Sequence, residues 1–267
     1  TLHRLTPQGA DVVADLSGTL RAPKLRGTLE GRDLAFVQRR LGWRLAGGVL
    51  DARFDGDRLD VETLRLGTDD GSVTLSGSLQ LEGMQGRFRL LADRLAVPLG
   101  PGQRIVVSGD TEITSKAAEL RWTGKIRADE GLIELRGGEA PSLPGDVVVV
   151  DTKAPAAPAE SAQASVPGAQ LKLGADLVLD LGDKLRVRGS GVDARLAGSI
   201  TLRGALPEAP RATGTVRIRD GTYRAYGQKL EITRGRVIFN GPLDNPVLDI
   251  TAMRRGPAVE AGVSITG

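Results

Sequence analysis

The most regular feature of the chain is an alternation of apolar and polar residues with period two. In LVLDLGDKLRVRG, Leu177, Leu179, Leu181, Leu185 and Val187 hold one parity, and Asp180, Lys184, Arg186 and Arg188 the other. After Gly189, Ser190 and Gly191 the phase reverses. Val192, Ala194, Leu196, Ile200 and Leu202 then alternate with Asp193, Arg195, Ser199, Thr201 and Arg203. Successive side chains of a strand point to opposite faces, so each segment has one apolar and one wet face. The pattern recurs at Ala52 and Phe54, at Val73, Leu75, Leu79 and Leu81, and at Ala118, Leu120 and Trp122. It appears again at Val216 and Ile218 and at Leu230 and Ile232. Roughly fifteen to eighteen short strands of five or six residues are expected, separated by turns containing Gly, Asp or Pro. Antiparallel sheets wetted on one face read this way.

Helix is scarce. RDLAFVQRRLG places Leu34, Val37 and Leu41 at helical spacing and predicts two or three turns over 32–42. ADRLAVPLG predicts a single turn ended by Pro98. A loose repeat of Gly, any residue, Leu, a gap and Pro begins at Gly18, Gly204 and Gly241, and each copy is expected at a corner between strands. The stretch 151–168, DTKAPAAPAESAQASVPG, lacks periodicity and reads as a disordered loop or linker. It divides a first β region, 1–150, from a second, 169–267. Thr1 and the strand-like ending VSITG are expected of a piece of a longer chain.

Composition sharpens this picture. Aromatics make up 3% of the chain while Gly numbers 36, which suits a thin, repetitive structure better than a thick globule. Basic and acidic residues number 36 and 33 and are interleaved, so charge speaks for wet outer faces. Nucleic-acid binding would need a basic stripe with stacking aromatics, and neither is present. No run approaches the ~18 apolar residues of a membrane-spanning helix.

No catalytic constellation is expected. The one His, His3, has no Cys for company, because the chain contains none. That removes thiol chemistry and ordinary zinc sites. Asp55, Asp57 and Asp60, and Asp69 and Asp70, lie beside Gly at turns and do not fit a calcium loop, so turn roles are expected of them. No cofactor is expected.

What remains is the apolar face, which must be covered. A closed sandwich or solenoid, a docked chain, or a trough filled with lipid would each do this. A transmembrane barrel would need strands of ~9–11 residues and aromatic girdles.

The segment from LGDKLRVRG through RGRVIFNGPLDNPVLDITAMRR resembles the C-terminal domain of the TamB family, relatives of the AsmA-like proteins. The likeness rests on Gly221, Tyr223, Tyr226 and Gly227, on the turn holding Gly241 and Pro246, and on Ala252, Arg254 and Arg255. It is specific over 170–255 and looser over 1–150. The resemblance implies an all-β fold: an elongated antiparallel sheet curved into a U-shaped groove, a β-taco, with an apolar interior and very little helix. It implies a periplasmic position, an N-terminal inner-membrane anchor, and the outer-membrane barrel TamA as partner through C-terminal strands beyond this segment. It also implies phospholipid as cargo moving toward the outer membrane, and nascent outer-membrane proteins as clients. Two alternatives stay open: a scaffold that pairs its edge strand with nascent barrels, and a purely structural sandwich or solenoid. Candidate groove residues are Leu177, Leu179, Leu181, Leu185, Val187, Leu196, Ile200, Val216, Ile218, Leu230, Ile232, Val237, Phe239 and Ile250.

Overall fold

The computed structural model describes residues 4–6, 10–19, 22–39, 41–68, 70–100, 103–117, 119–135, 172–206, 210–225, 228–254 and 261–267. Side chains are described from residue 26 onward, except at 172, 206, 225 and 261. These residues build one sheet from sixteen strand segments. The first region contains β1 (Arg4–Thr6), β2 (Ala10–Thr19), β3 (Ala22–Gln38), β4 (Trp43–Gly56), β5 (Arg58–Gly67), β6 (Ser72–Gln80), β7 (Gln85–Gly100), β8 (Gln103–Lys116) and β9 (Glu119–Glu134). The second contains β10 (Lys172–Asp180), β11 (Leu185–Gly189), β12 (Val192–Leu206), β13 (Arg211–Ala225), β14 (Gln228–Pro242), β15 (Val247–Arg254) and β16 (Ala261–Thr266). Fourteen of them follow one another across the sheet almost in chain order, and the sheet curves into a long U. All pairings are antiparallel except those of β9 with β10 and β11, where the two regions join in parallel. The 151–168 stretch lies outside the described residues.

Three local expectations are corrected. Residues 32–38 continue strand β3, and the segment around Pro98 lies in β7, so neither predicted helix forms. The only helical turn among the described residues is a 3-10 turn at Glu82–Met84. A bulge before Leu34 shifts its phase within β3, Val37 lies in the same strand, and Leu41 lies in the turn after it. The strands are also much longer than five or six residues: β3 has 17, β7 and β9 have 16, and β12, β13 and β14 have 15 each. Many glycines that read as turns lie inside strands. The Gly189–Gly191 segment is a true two-residue hairpin, with Ser190 and Gly191 both at positive φ as a type I′ turn requires. The three Gly–Pro corners fall where expected, between β2 and β3, β12 and β13, and β14 and β15.

The bulges have a common location. Asp33 in β3 (φ 54°) and Gly47 in β4 (φ 60°) interrupt adjacent strands. The β5–β6 turn stands next along the ladder. Asp93 and Arg94 interrupt β7, and Asp129 interrupts β9. The turn at Gly182 divides β10 from β11, Arg219 bulges from β13, and Thr233 from β14. Followed through the register, these sites form a crease across the sheet, with two more bulges, at Glu62 and Leu99, off the line. Bulges bend a strand and increase its twist, so the crease is where long strands turn from one arm of the U into the other. A polar relay steadies it: the Arg94 amide donates to Ser108 Oγ at 3.0 Å, and the Ser108 hydroxyl donates to Asp129.

On a curled sheet the inner side is crowded, and glycine relieves the crowding. Gly77 (φ 152°) faces Phe88, and Gly124 (φ 135°) faces Thr111. A Cβ at Gly124 would stand 2.5 Å from the Asp110 carbonyl oxygen, in a backbone region that side chains rarely adopt. Gly124→Ala is therefore expected to cost about 1–3 kcal/mol in urea unfolding. Gly241→Ala, whose Cβ would meet only the tip of Arg211 at 4.0 Å, should stay within about 0.5 kcal/mol.

Candidate apolar trough

The register aligns the apolar parity of every strand into rows that cross the sheet. One row runs Leu50, Leu64, Leu75, Leu90, Thr111, Gly124, Leu177, Leu202, Ala212 and Gly241, each opposite the next on successive strands. A second runs Leu66, Val73, Ala92, Gly109, Ile126, Leu179, Ile200, Gly214 and Phe239. A third runs Leu29, Ala52, Val61, Gly77, Phe88, Ile113, Trp122, Ala175 and Gly204. The parallel joint between β9 and β10 does not break these rows. Thr111 is the one buried polar residue on them, and its hydroxyl donates to the Leu90 carbonyl. Among the described residues no second sheet and no α-helix covers this face.

The opposite face is a field of cross-strand ion pairs. Arg203 stands directly opposite Asp176, Arg195 opposite Asp220, and Arg26 opposite Asp55, each pair bridged. Arg89 holds Asp110, and Arg186 holds Asp193, across diagonal positions. Asp60 accepts from Arg58, and Asp70 lies within ion-pair distance of Arg104, so these acidic residues are occupied within the sheet. A cavity of about 1020 Å³ is lined by Lys184, Arg186, Asp193, Arg195, Asp220 and Glu231. Its lining also takes in Ala194, Gly221, Leu230 and Ile232 of the apolar parity, so charged and apolar side chains share its walls.

The candidate residues of the second region fall on the apolar face. Leu177 and Leu179 pair with Leu202 and Ile200, and Leu185 pairs with Leu196, which faces Ile218. Val187 faces Ala194. Val216 faces Val237, Leu230 faces Tyr223, Ile232 faces Ala252, and Ile250 faces Gly235. Leu181 departs slightly, since it sits half-buried in the turn at the crease and donates its amide to Gly198. Depth varies: Leu177 and Leu185 are 3% and 2% exposed, whereas Leu179, Val187 and Phe239 are half-buried. Of the motif residues, Gly221 presses on Ala194, Tyr223 shares the apolar face, and Gly241 and Pro246 flank the β14–β15 corner. Tyr226 and Gly227 lie outside the described residues.

Sequence reasoning missed the contribution of the first region. Leu29, Leu64, Leu75, Leu90, Ile113, Trp122 and Ile126 extend the same face. Their alternation was visible, but only the register shows that it joins the parity of the second region. All described aromatic side chains also lie on this face or its end: Phe36, Trp43, Phe54, Phe88, Trp122, Tyr223 and Phe239.

The domain family described as TamB C-terminal domain matches residues 62–267. The chain belongs to the TamB family. It is 22% identical over 273 residues to the translocation and assembly module subunit TamB of Haemophilus influenzae, an alignment covering 96% of this chain and 21% of that relative. The chain thus spans about a fifth of the length of that TamB protein. Among the described residues no helix is long and apolar enough to cross a membrane, and no group of three metal-ligating side chains assembles.

Electrostatics on the wet face are local. Hydrogen bonding from Arg89 lowers the Asp110 carboxyl, and that from Arg186 lowers Asp193. A carboxyl lowered by folding adds stability above its unfolded value, near pH ~4, and loses it as pH falls through the lower folded value. Both pairs are exposed and screened by salt, so the effect is small. In urea titrations from about pH 6 to about pH 2, Asp193→Asn should lose less stability on acidification than the parent. Superimposable acid curves would show that the pair contributes nothing.

Proposed function

We propose that the apolar rows form the wall of a lipid conduit: acyl chains lie along the trough while headgroups stay toward its open side. The observation that supports this reading is the apolar face, carried across the crease and the parallel joint with no layer of the described residues over it. Burying hydrocarbon against such a wall gains ~0.8 kcal/mol per CH₂. Leu, Val and Ile offer few fixed polar partners, which suits sliding over tight capture. On this reading the segment is a non-catalytic part of a periplasmic, inner-membrane-anchored protein that carries phospholipid toward the outer membrane and supports assembly of outer-membrane proteins. Its partner is the barrel TamA.

A second reading is favoured by the edge strand β16. Among the described residues it is paired on one side only, with β15. Val263 and Ile265, 36% and 43% exposed, extend the apolar face to this edge, opposite Ala252 and Ile250. An open edge with this side-chain pattern suits addition of an incoming strand, as a scaffold for nascent barrels would require.

The test places a photocrosslinking residue at Leu179, half-buried on the apolar face, and at Asp180, exposed on the other. Phospholipid adducts at Leu179 and none at Asp180 are expected from intact cells. Adducts at neither position would end the conduit reading. Outer-membrane protein adducts at Leu179 would replace it with the scaffold.

A further inference from the structure

One wall of the U is incomplete. The β5–β6 hairpin pairs with its neighbours only as far as Gly67 opposite Ala46 and Ser72 opposite Asp93. Beyond that point β4 continues to Trp43, and β7 continues from Leu95 to Gly100, about 20 Å at the rise of a strand. Among the described residues two strands are therefore missing from the sheet on that side of the crease, and what remains is a notch between β4 and β7.

The notch is latched where β4 ends. Three ladder steps on a flat sheet would separate β4 from β7 by about 14 Å, yet Trp43 Nε1 donates to the Ala96 carbonyl at 3.0 Å. The indole reaches past the end of the hairpin, and the Phe36 ring meets it edge-on with centroids 6.0 Å apart. Beyond the latch two leucines are exposed, Leu99 at 46% in β7 and Leu41 at 39% in the β3–β4 turn.

Two occupants could fill such a gap, an added strand or an apolar chain. Pro98 decides between them. It lies in the stretch of β7 that, among the described residues, has β8 on one side and no strand on the other. Proline offers no N–H to a ladder, and on exposed edges it guards against strand addition. The exposed leucines and the indole suit hydrocarbon.

Resting on the conduit reading, we propose that this notch is a lateral port through which the acyl chain of a phospholipid passes into and out of the trough, with Trp43 as its latch. Trough and port can be tested separately in the intact protein. A photocrosslinking residue at Leu99, compared with one at Leu179, should give phospholipid adducts at both. Adducts at Leu179 with none at Leu99 would overturn the port and leave the trough. Polypeptide adducts at Leu99 would overturn the port in favour of strand addition. No lipid adduct at either position would overturn both.

The latch has its own test. Trp43→Phe keeps a ring against Phe36 but removes the N–H. It should speed exchange of a fluorescent phospholipid between vesicles and the protein about fivefold, the factor one net hydrogen bond is worth. An unchanged rate, with urea unfolding also unchanged, would remove Trp43 from the port.

Discussion

The structure depends on cross-strand register. A single sheet has no second layer to hide a misplaced side chain, and a slip of one residue would turn a whole strand inside out. Here each strand carries its apolar residues on one parity, and the pairing aligns those parities from β3 to β16. The bulges obey the same rule. Where β7 gains Asp93 and Arg94, the parity resets so that Leu95 faces Val107 and stays on the apolar side. Where β9 gains Asp129, Gly131 and Ile133 take over from Ile126 and Ala128. The crease therefore bends the sheet without exchanging its faces.

Ion pairs on the wet face and glycines on the apolar face are complementary consequences of that curvature. The outer side is spread, leaving room for long arginines to reach diagonally, as Arg186 does to Asp193. The inner side is compressed, so Gly77 and Gly124 yield space to Phe88 and Thr111. The low aromatic content follows from the same geometry. Eight aromatic residues in the whole chain suffice when the wall is one side chain deep.

Much of this was legible in the chain. Period-two alternation fixes strand and face together, so Leu177, Leu179, Leu185 and Val187 could be assigned to one surface before any coordinates. The Gly189–Gly191 turn was legible because a phase reversal flanks a glycine pair. The long strands were not, because a mid-strand glycine that relieves crowding looks the same in sequence as one that turns the chain; Gly124 and Gly214 are such cases. Bulges deceive in another way. The extra residue at the Asp33 bulge shifts Leu34 and Phe36 out of phase with the preceding part of β3, which hides the strand from a period-two reading. Trp43 was silent in sequence, since its role comes from a hairpin 25 residues further on being shorter than its neighbours.

The parallel joint has a consequence for how the sheet is made. From β3 to β9, and again from β12 to β16, each strand is paired with the one just before it. Local pairing of this kind costs little loop-closure entropy and can proceed as the chain is delivered. β10 cannot join in that way, because its partner β9 ends at Glu134 and a parallel neighbour needs a long crossover before it can turn back alongside. Assembly thus has one pause built into it, between two sections that can each zip up on their own, and the continuity of the apolar wall is settled at that seam last.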